Sequence, residues 1–195
     1  MTLAAVLCCA MLTTVFTACS KDNDENTTQP PQETATPDKA VMTCTLSVSP
    51  ETTTAFDVKV KYYDAEGNKH EEIATWTDAK KDGKDVKQWV KNVSKKLPAK
   101  LGMYMELSPK EGIDLTIDHK FQYKRELVFT SYNTDNGILD QKDCSGGLGG
   151  TVKANEMDTY MSKIGKIANY VANFDEKGYL PKNSGGMSIT TTWEE

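Results

Sequence analysis

Asp82-Gly83-Lys84-Asp85-Val86-Lys87-Gln88-Trp89-Val90-Lys91-Asn92-Val93-Ser94-Lys95-Lys96-Leu97-Pro98 is the stretch on which the fold class turns. Its apolar residues, Val86, Trp89, Val90, Val93 and Leu97, fall at the spacing of one helical face. Asp85 stands where an N-cap accepts backbone N–H groups, and Gln88, three residues on, completes a capping box. Pro98 cannot extend a helix and ends it. The spacing predicts an amphipathic helix over 86–97.

Before this stretch the period is two. Met42, Cys44, Leu46 and Val48 alternate with Thr43, Thr45 and Ser47, and Phe56, Val58, Val60 and Tyr62 repeat the pattern after a turn at Ser49-Pro50-Glu51-Thr52-Thr53. Ala65-Glu66-Gly67-Asn68 has turn chemistry before a third strand over 73–77 that holds Trp76, and the three strands read as an antiparallel meander. After Pro98 the period returns to two at Leu101, Met103, Met105 and Leu107. The longest β pattern runs from Ile113 through Leu115, Ile117, His119, Phe121 and Tyr123 to Leu127 and Phe129, as one long bent strand or two strands broken by a bulge near Lys124-Arg125. The polar, glycine-rich residues 133–150 read as a surface connector. Asn155 and Asp158 can cap a second helix burying Met157, Tyr160, Met161, Ile164, Ile167, Ala168, Val171 and Phe174, and Met187, Ile189, Thr191 and Trp193 form a closing strand.

Hairpins interleaved with two amphipathic helices predict an α+β domain, mainly an antiparallel sheet of about six to seven strands with both helices on one face. One such domain over 41–195 has length enough for a real core. The net charge is -5 and all charged residues lie after the first twenty positions. Phosphate attraction needs clustered Lys and Arg, so nucleic acid is not an expected partner.

The domain is preceded by residues 20–39, which hold no aromatic and almost no aliphatic residue but carry Pro30, Pro31 and Pro37. Such a segment buries too little surface to offset chain entropy and is expected to be a disordered tether, about 60 Å long at about 3 Å per extended residue. In front of it, Leu3 to Phe16 is uncharged and apolar or small, and runs into Thr17-Ala18-Cys19. Fourteen residues are too few to span a bilayer, which takes roughly 20 in a helix, and read instead as a signal-peptide core.

Small residues followed by Cys19 resemble the lipobox of bacterial lipoproteins. The resemblance implies a leader, 1–18, cut before Cys19, a diacylglycerol on the Cys19 sulfur, and an acyl chain such as palmitate on the new amine. Phe16 stands where lipoboxes usually carry Leu. Met1-Thr2 lacks the usual basic residues, and the expectation is a leader that begins upstream. Several acyl chains hold firmly where one holds weakly, at about 0.8 kcal/mol per buried methylene. Lys21, Asp22, Asp24 and Glu25 behind Cys19 resemble the acidic export signal of surface-exposed lipoproteins of the Bacteroidetes. The implied location is the outer membrane, with the domain at the cell surface or, without export, facing the periplasm.

Once Cys8 and Cys9 leave with the leader and Cys19 is lipidated, Cys44 and Cys144 remain. In an oxidising compartment they read either as a disulfide or as two separate buried thiols.

Few residues carry a chemical signature. His119, set among apolar positions of a strand, is either a base near an acid or a core-edge histidine with both nitrogens hydrogen-bonded. His70 sits beside Glu71 and Glu72, but neighbours in a strand point to opposite faces, and no metal site is expected. Gly146-Gly147-Leu148-Gly149-Gly150 lacks the spacing of a phosphate loop and reads as a flexible connector. Asn133, Asp135, Asn136, Asp140 and Asp143 lack the order of a calcium hand. Among the aromatic residues, Tyr63 is out of phase with the buried face of its strand and is the best exposed candidate for stacking on a sugar. No catalytic residues and no cofactor are assigned. The sequence reads as a lipid-anchored, non-catalytic binding module for an extracellular glycan, peptide or protein, with a cell-surface hydrolase using His119 and acidic residues as the alternative.

Overall fold

Two antiparallel sheets lie face to face, and residues 86–96, expected as helix, are strand. The computed structural model describes residues 35–163, 165–182, 189–190 and 193, all within one compact unit, Thr34–Glu195. In chain order the elements are β1 (Pro37–Val48), the short helix α1 (Pro50–Ala55), β2 (Phe56–Tyr63), β3 (Lys69–Ile73), β4 (Thr77–Lys81), β5 (Lys84–Lys96), β6 (Ala99–Pro109) and β7 (His119–Asn133). There follow β8 (Ile138–Asp143), β9 (Gly146–Val152), a 3-10 turn (Ala154–Glu156), α2 (Met157–Lys163) and β10 (Lys166–Phe174). The larger sheet runs β4-β5-β1-β7, with β8 and β9 both paired to the far side of β7; the smaller runs β10-β6-β2-β3.

The alternation read in β1, β2 and β6 is what stacks the sheets. Ala40, Met42, Cys44, Leu46 and Val48 face Phe56, Val58, Val60, Leu101, Met103, Met105 and Leu107, and all of these are buried. In β7, Phe129 sits opposite Met42, and Leu127 opposite Cys44. This is the sandwich arrangement, in which two inner faces interdigitate into a core about 10 Å thick.

The α+β expectation is thus corrected: the fold is mostly strand, 63%, with 9% helix. The predicted helix over 86–97 is β5, paired to β1 from Lys39↔Lys96 to Val48↔Lys87. Its inward residues are Lys87, Trp89, Lys91, Val93 and Lys95. Three lysines on the core-facing side hide the alternation, because β5 lies toward the sheet margin. There the long side chains reach outward, Lys91 with its ammonium 3.9 Å from the Tyr62 ring centroid and Lys87 to Asp78 at 2.6 Å. Val86, Val90 and Val93 are β-branched, and pairing with a buried strand decides their state over a helical spacing.

The second predicted helix is half right. Met157–Lys163 is helical, but β10 takes Ile167, Ala168, Val171 and Phe174 and pairs with β6; Ile164 lies outside the described residues. The expected meander does not form, because β1 enters one sheet while β2 and β3 make a hairpin in the other. Trp76 falls in the link between β3 and β4, and the turn at Ser49 is the N-cap of α1, whose hydroxyl accepts the Thr52 N–H. Residues 113–118 form a turn and β7 begins at His119, running unbroken through Lys124-Arg125. The connector over 133–150 contains β8 and most of β9. β1 starts at Pro37, inside the stretch read as tether. Of the closing strand, Thr190 bridges Val171 and Trp193 stacks on Tyr63, while Met187 and Thr191 lie outside the described residues.

Candidate functional site

The outer face of the larger sheet carries the clefts. β1 ends at Val48, and Ser49 turns the chain into α1, placing the Thr52 hydroxyl beside β7. There it accepts the Gln122 N–H at 2.8 Å, while the Gln122 carbonyl accepts the Ser49 N–H at 3.0 Å. This clamp fixes the Gln122 backbone and leaves its exposed side-chain amide without a hydrogen-bond partner among the described residues. Three hollows meet around it, of about 490, 510 and 500 Å³. The first lies toward the β4–β5 hairpin, with Lys81, Lys84, Asp82 and Asp85. The second and third lie over β9, floored by the ladder itself, since Gly147 and Gly149 project no side chains. From β5 across β1 and β7 to β9 is three strand spacings, about 14 Å.

Beside Gln122 on the same face, Lys124 and Glu126 form a charged row. Glu126 accepts from Lys81 at 2.5 Å with Lys124 3.6 Å away, and the Lys81 hydrogen bond, ahead of the nearby lysine charges, holds its carboxyl below the usual carboxylate range. Hydroxyls, an amide and charges of both signs suit hydrogen bonding to a polar ligand. Among the described residues no group of three or more His, Cys, Asp and Glu is placed to hold a metal ion.

The residues singled out by sequence lie elsewhere. His119 is 9% exposed at the start of β7, its Nε2 2.6 Å from the Asp114 carbonyl oxygen and its ring edge-on to Phe56 at 6.0 Å. Nearby carboxylates are engaged: Asp114 accepts from the Thr116 hydroxyl and N–H, and Asp118 from Lys153. Tyr63 does face outward from β2, yet it is only 4% exposed because Trp193 stacks on it at 4.7 Å. Gly102 makes room for that stack, since a Cβ there would come within 2.9 Å of both rings.

Cys44 and Cys144 are both free and buried, with Leu127 of β7 between them: Cys44 pairs with Leu127, whose carbonyl accepts the Cys144 N–H at 2.8 Å. The disulfide alternative is set aside on that geometry. The Asn and Asp side chains of 133–143 are engaged with backbone: Asn133 accepts the Gly137 N–H, Asp140 those of Gln141 and Leu180, and Asp143 that of Ser145. Cys19, Lys21, Asp22, Asp24 and Glu25 lie outside the described residues.

His70, Glu71 and Glu72 alternate as strand neighbours must. Glu71 pairs outward with Lys59 and Lys61, and Glu72 turns inward to accept from the Trp89 indole at 3.1 Å. His70 stacks on Tyr62, and its Nε2 lies 2.6 Å from Asp64 Oδ2. Asp64 also accepts the Gly67 and Asn68 N–H groups at 2.8 Å, closing the β2–β3 turn. These bonds, that to His70 foremost, hold the Asp64 carboxyl well below the usual range. A depressed folded pKa contributes stability above the unfolded value, about 3.9, that is lost as pH falls through the folded one. Asp64→Asn is therefore expected to flatten the acid limb of stability below about pH 4, read as urea midpoints against pH; an unchanged limb would remove Asp64 from the account.

Gln122 and Lys124 escaped the sequence reading because they stand on the polar side of an alternating strand, where solvated residues are the rule. The one available signal was Gly147 and Gly149, which uncover a strip of backbone. Compared with known proteins, the chain matches no family model, no curated protein and no solved structure.

Proposed function

We propose that the chain is a lipid-anchored extracytoplasmic binding module. Cys19 carries the lipid, Lys21, Asp22, Asp24 and Glu25 direct the domain to the cell surface, and the outer face of the larger sheet receives an extracellular glycan. The observation that carries the binding part is the run of three hollows meeting at the free Gln122 amide. Spanning about 14 Å, that run accommodates several sugar rings, and hydroxyls and amides recognise sugars by hydrogen bonding without an aromatic platform. The hydrolase alternative loses support, because His119 is held by a backbone carbonyl and its neighbouring acids are engaged.

Two measurements test the proposal. Labelling with an alkynyl palmitate should mark the wild type and leave Cys19→Ala unmarked, and protease should remove the domain from intact cells. In titrations of a panel of soluble polysaccharides, Gln122→Ala with Lys124→Ala should weaken binding about tenfold or more, the equivalent of about 1.4 kcal/mol. An unlabelled Cys19 defeats the anchor. Polysaccharide binding that ignores both substitutions, or no binding across the panel, defeats the site.

A further inference from the structure

Among the described residues, each exposed sheet margin but one is charged or partly covered. β3 carries Lys69, His70, Glu71 and Glu72; β4 carries Asp78, Lys80 and Lys81; β8 carries Asp140, Lys142 and Asp143; and β10 is covered in part by the Thr190 bridge. Charges of this kind keep strands of other chains from adding to an open margin. β9 reads Gly-Gly-Leu-Gly-Gly-Thr-Val, with no charge and no proline. Among the described residues it pairs with β7 alone, and Leu148 is 41% exposed.

The direction of its backbone groups follows from the Gln122 clamp. Gln122 spends its N–H and C=O toward α1, away from β9, and its register partner is Gly149. In an antiparallel ladder such a pair exchanges no hydrogen bonds, so the N–H and C=O of Gly149, and of Gly147 two residues away, point to the open margin.

We infer that β9 is a self-association strand, pairing antiparallel with β9 of a second copy of this chain about a two-fold axis at Leu148. The sequence is palindromic there: Gly146-Gly147-Leu148-Gly149-Gly150 reads the same in both directions, and a two-fold interface demands that kind of self-complementarity. The hydrogen-bonding phase agrees. Gly147 of one copy meets Gly149 of the other, both with groups directed outward, giving about four hydrogen bonds in the two central pairs, and Leu148 meets Leu148 in a close pair without hydrogen bonds. The same register sets Asp143 of one copy opposite Lys153 of the other, so the ends attract. Glycine admits the close approach, and nothing in β9 repels a copy of itself. Directly opposed strands share faces, so the two outer surfaces lie on the same side and the hollows over β9 join across the axis. That last consequence rests on the proposed function; the pairing does not.

The test uses the chain from Ser20 onward, which holds the whole compact unit and none of Cys8, Cys9 and Cys19. Sedimentation equilibrium should give a concentration-dependent approach to twice the chain mass, and Leu148→Lys, placing two ammonium groups face to face at an exposed position, should restore the single mass with an unchanged melting temperature. Under diamide, Leu148→Cys should cross-link to itself within the dimer, whereas Thr151→Cys, which faces Ser145 in this register, should not. A single-chain mass up to millimolar concentration overturns the inference. So does Cys cross-linking at 151 as fast as at 148. Polysaccharide binding by the wild-type chain, measured alongside its mass, separates failure of the pairing from failure of the binding site.

Discussion

Trp89→Ala is expected to cost about 3–5 kcal/mol and lower the melting temperature by roughly 10 °C, while Val90→Thr next to it stays within about 0.5 kcal/mol. The contrast comes from the strand. Trp89 faces the smaller sheet at 5% exposure, opposite Leu46 of β1, and its indole N–H donates to Glu72 across the gap between sheets. Removing it opens a large void and strips the inward carboxylate of a donor, two costs that act together. Val90 points the other way and is 50% exposed. In a helix over 86–97 both residues would share the buried face, and both substitutions would hurt. Thermal and urea unfolding of the two variants decides the matter, and a loss at Val90 comparable to that at Trp89 would restore the helix.

That pair of neighbours also shows where sequence reading reached its limit. β1, β2 and β6 were legible because both sides of each strand have settled environments: apolar residues meet the opposing sheet and polar ones meet water. β5 was not, because Lys87, Lys91 and Lys95 occupy inward positions at a margin where long side chains can escape, leaving valines whose spacing suits either period. β10 failed for a different reason. Ala168, Tyr170, Ala172 and Phe174 pair with Met105, Met103, Leu101 and Ala99 and face the core, while Asn169, Val171 and Asn173 face outward. Val171 is buried on that outer side, paired with the Gly102 over which Tyr63 and Trp193 stack, so Ile167, Ala168, Val171 and Phe174 also fit a helical spacing that masks the period of two.

β9 shows the opposite defect, too little signal. Glycine favours no period, and its role as a strand depends on β7 lying beside it. The candidate site inherits that weakness, for Gln122 becomes distinctive only when Thr52 clamps its backbone and glycines clear the ground next to it. Tyr63 was placed on the correct face by its phase, and its burial under Trp193, 130 residues later in the chain, could not be read locally.

Cys44 in the native protein is expected to react with iodoacetamide about a thousandfold more slowly than in the denatured chain, and reductant is expected to leave the melting temperature unchanged. Burial is the main cause of the first effect: it pushes the Cys44 thiol up to about 12, against a smaller opposing pull from the Arg125 charge. The reactive species is the thiolate, so near pH 8 an upward move of about three units from the ordinary range thins it by about three powers of ten, before any steric hindrance is added. Cys144 is shifted upward for the same reason. The second effect follows from the ladder. Two steps, Cys44 to Leu127 and Leu127 to Cys144, separate the Cα atoms by about 9–10 Å, beyond the roughly 7 Å that a disulfide spans. An oxidising compartment supplies the chemistry for a bond, but β7 stands in the way, and joining the thiols would require expelling it from the sheet. The sandwich must therefore be held by its core and ladders alone. A native mass two daltons below the reduced one, or a melting temperature that falls with dithiothreitol, would show that the larger sheet is not ordered β1-β7-β8.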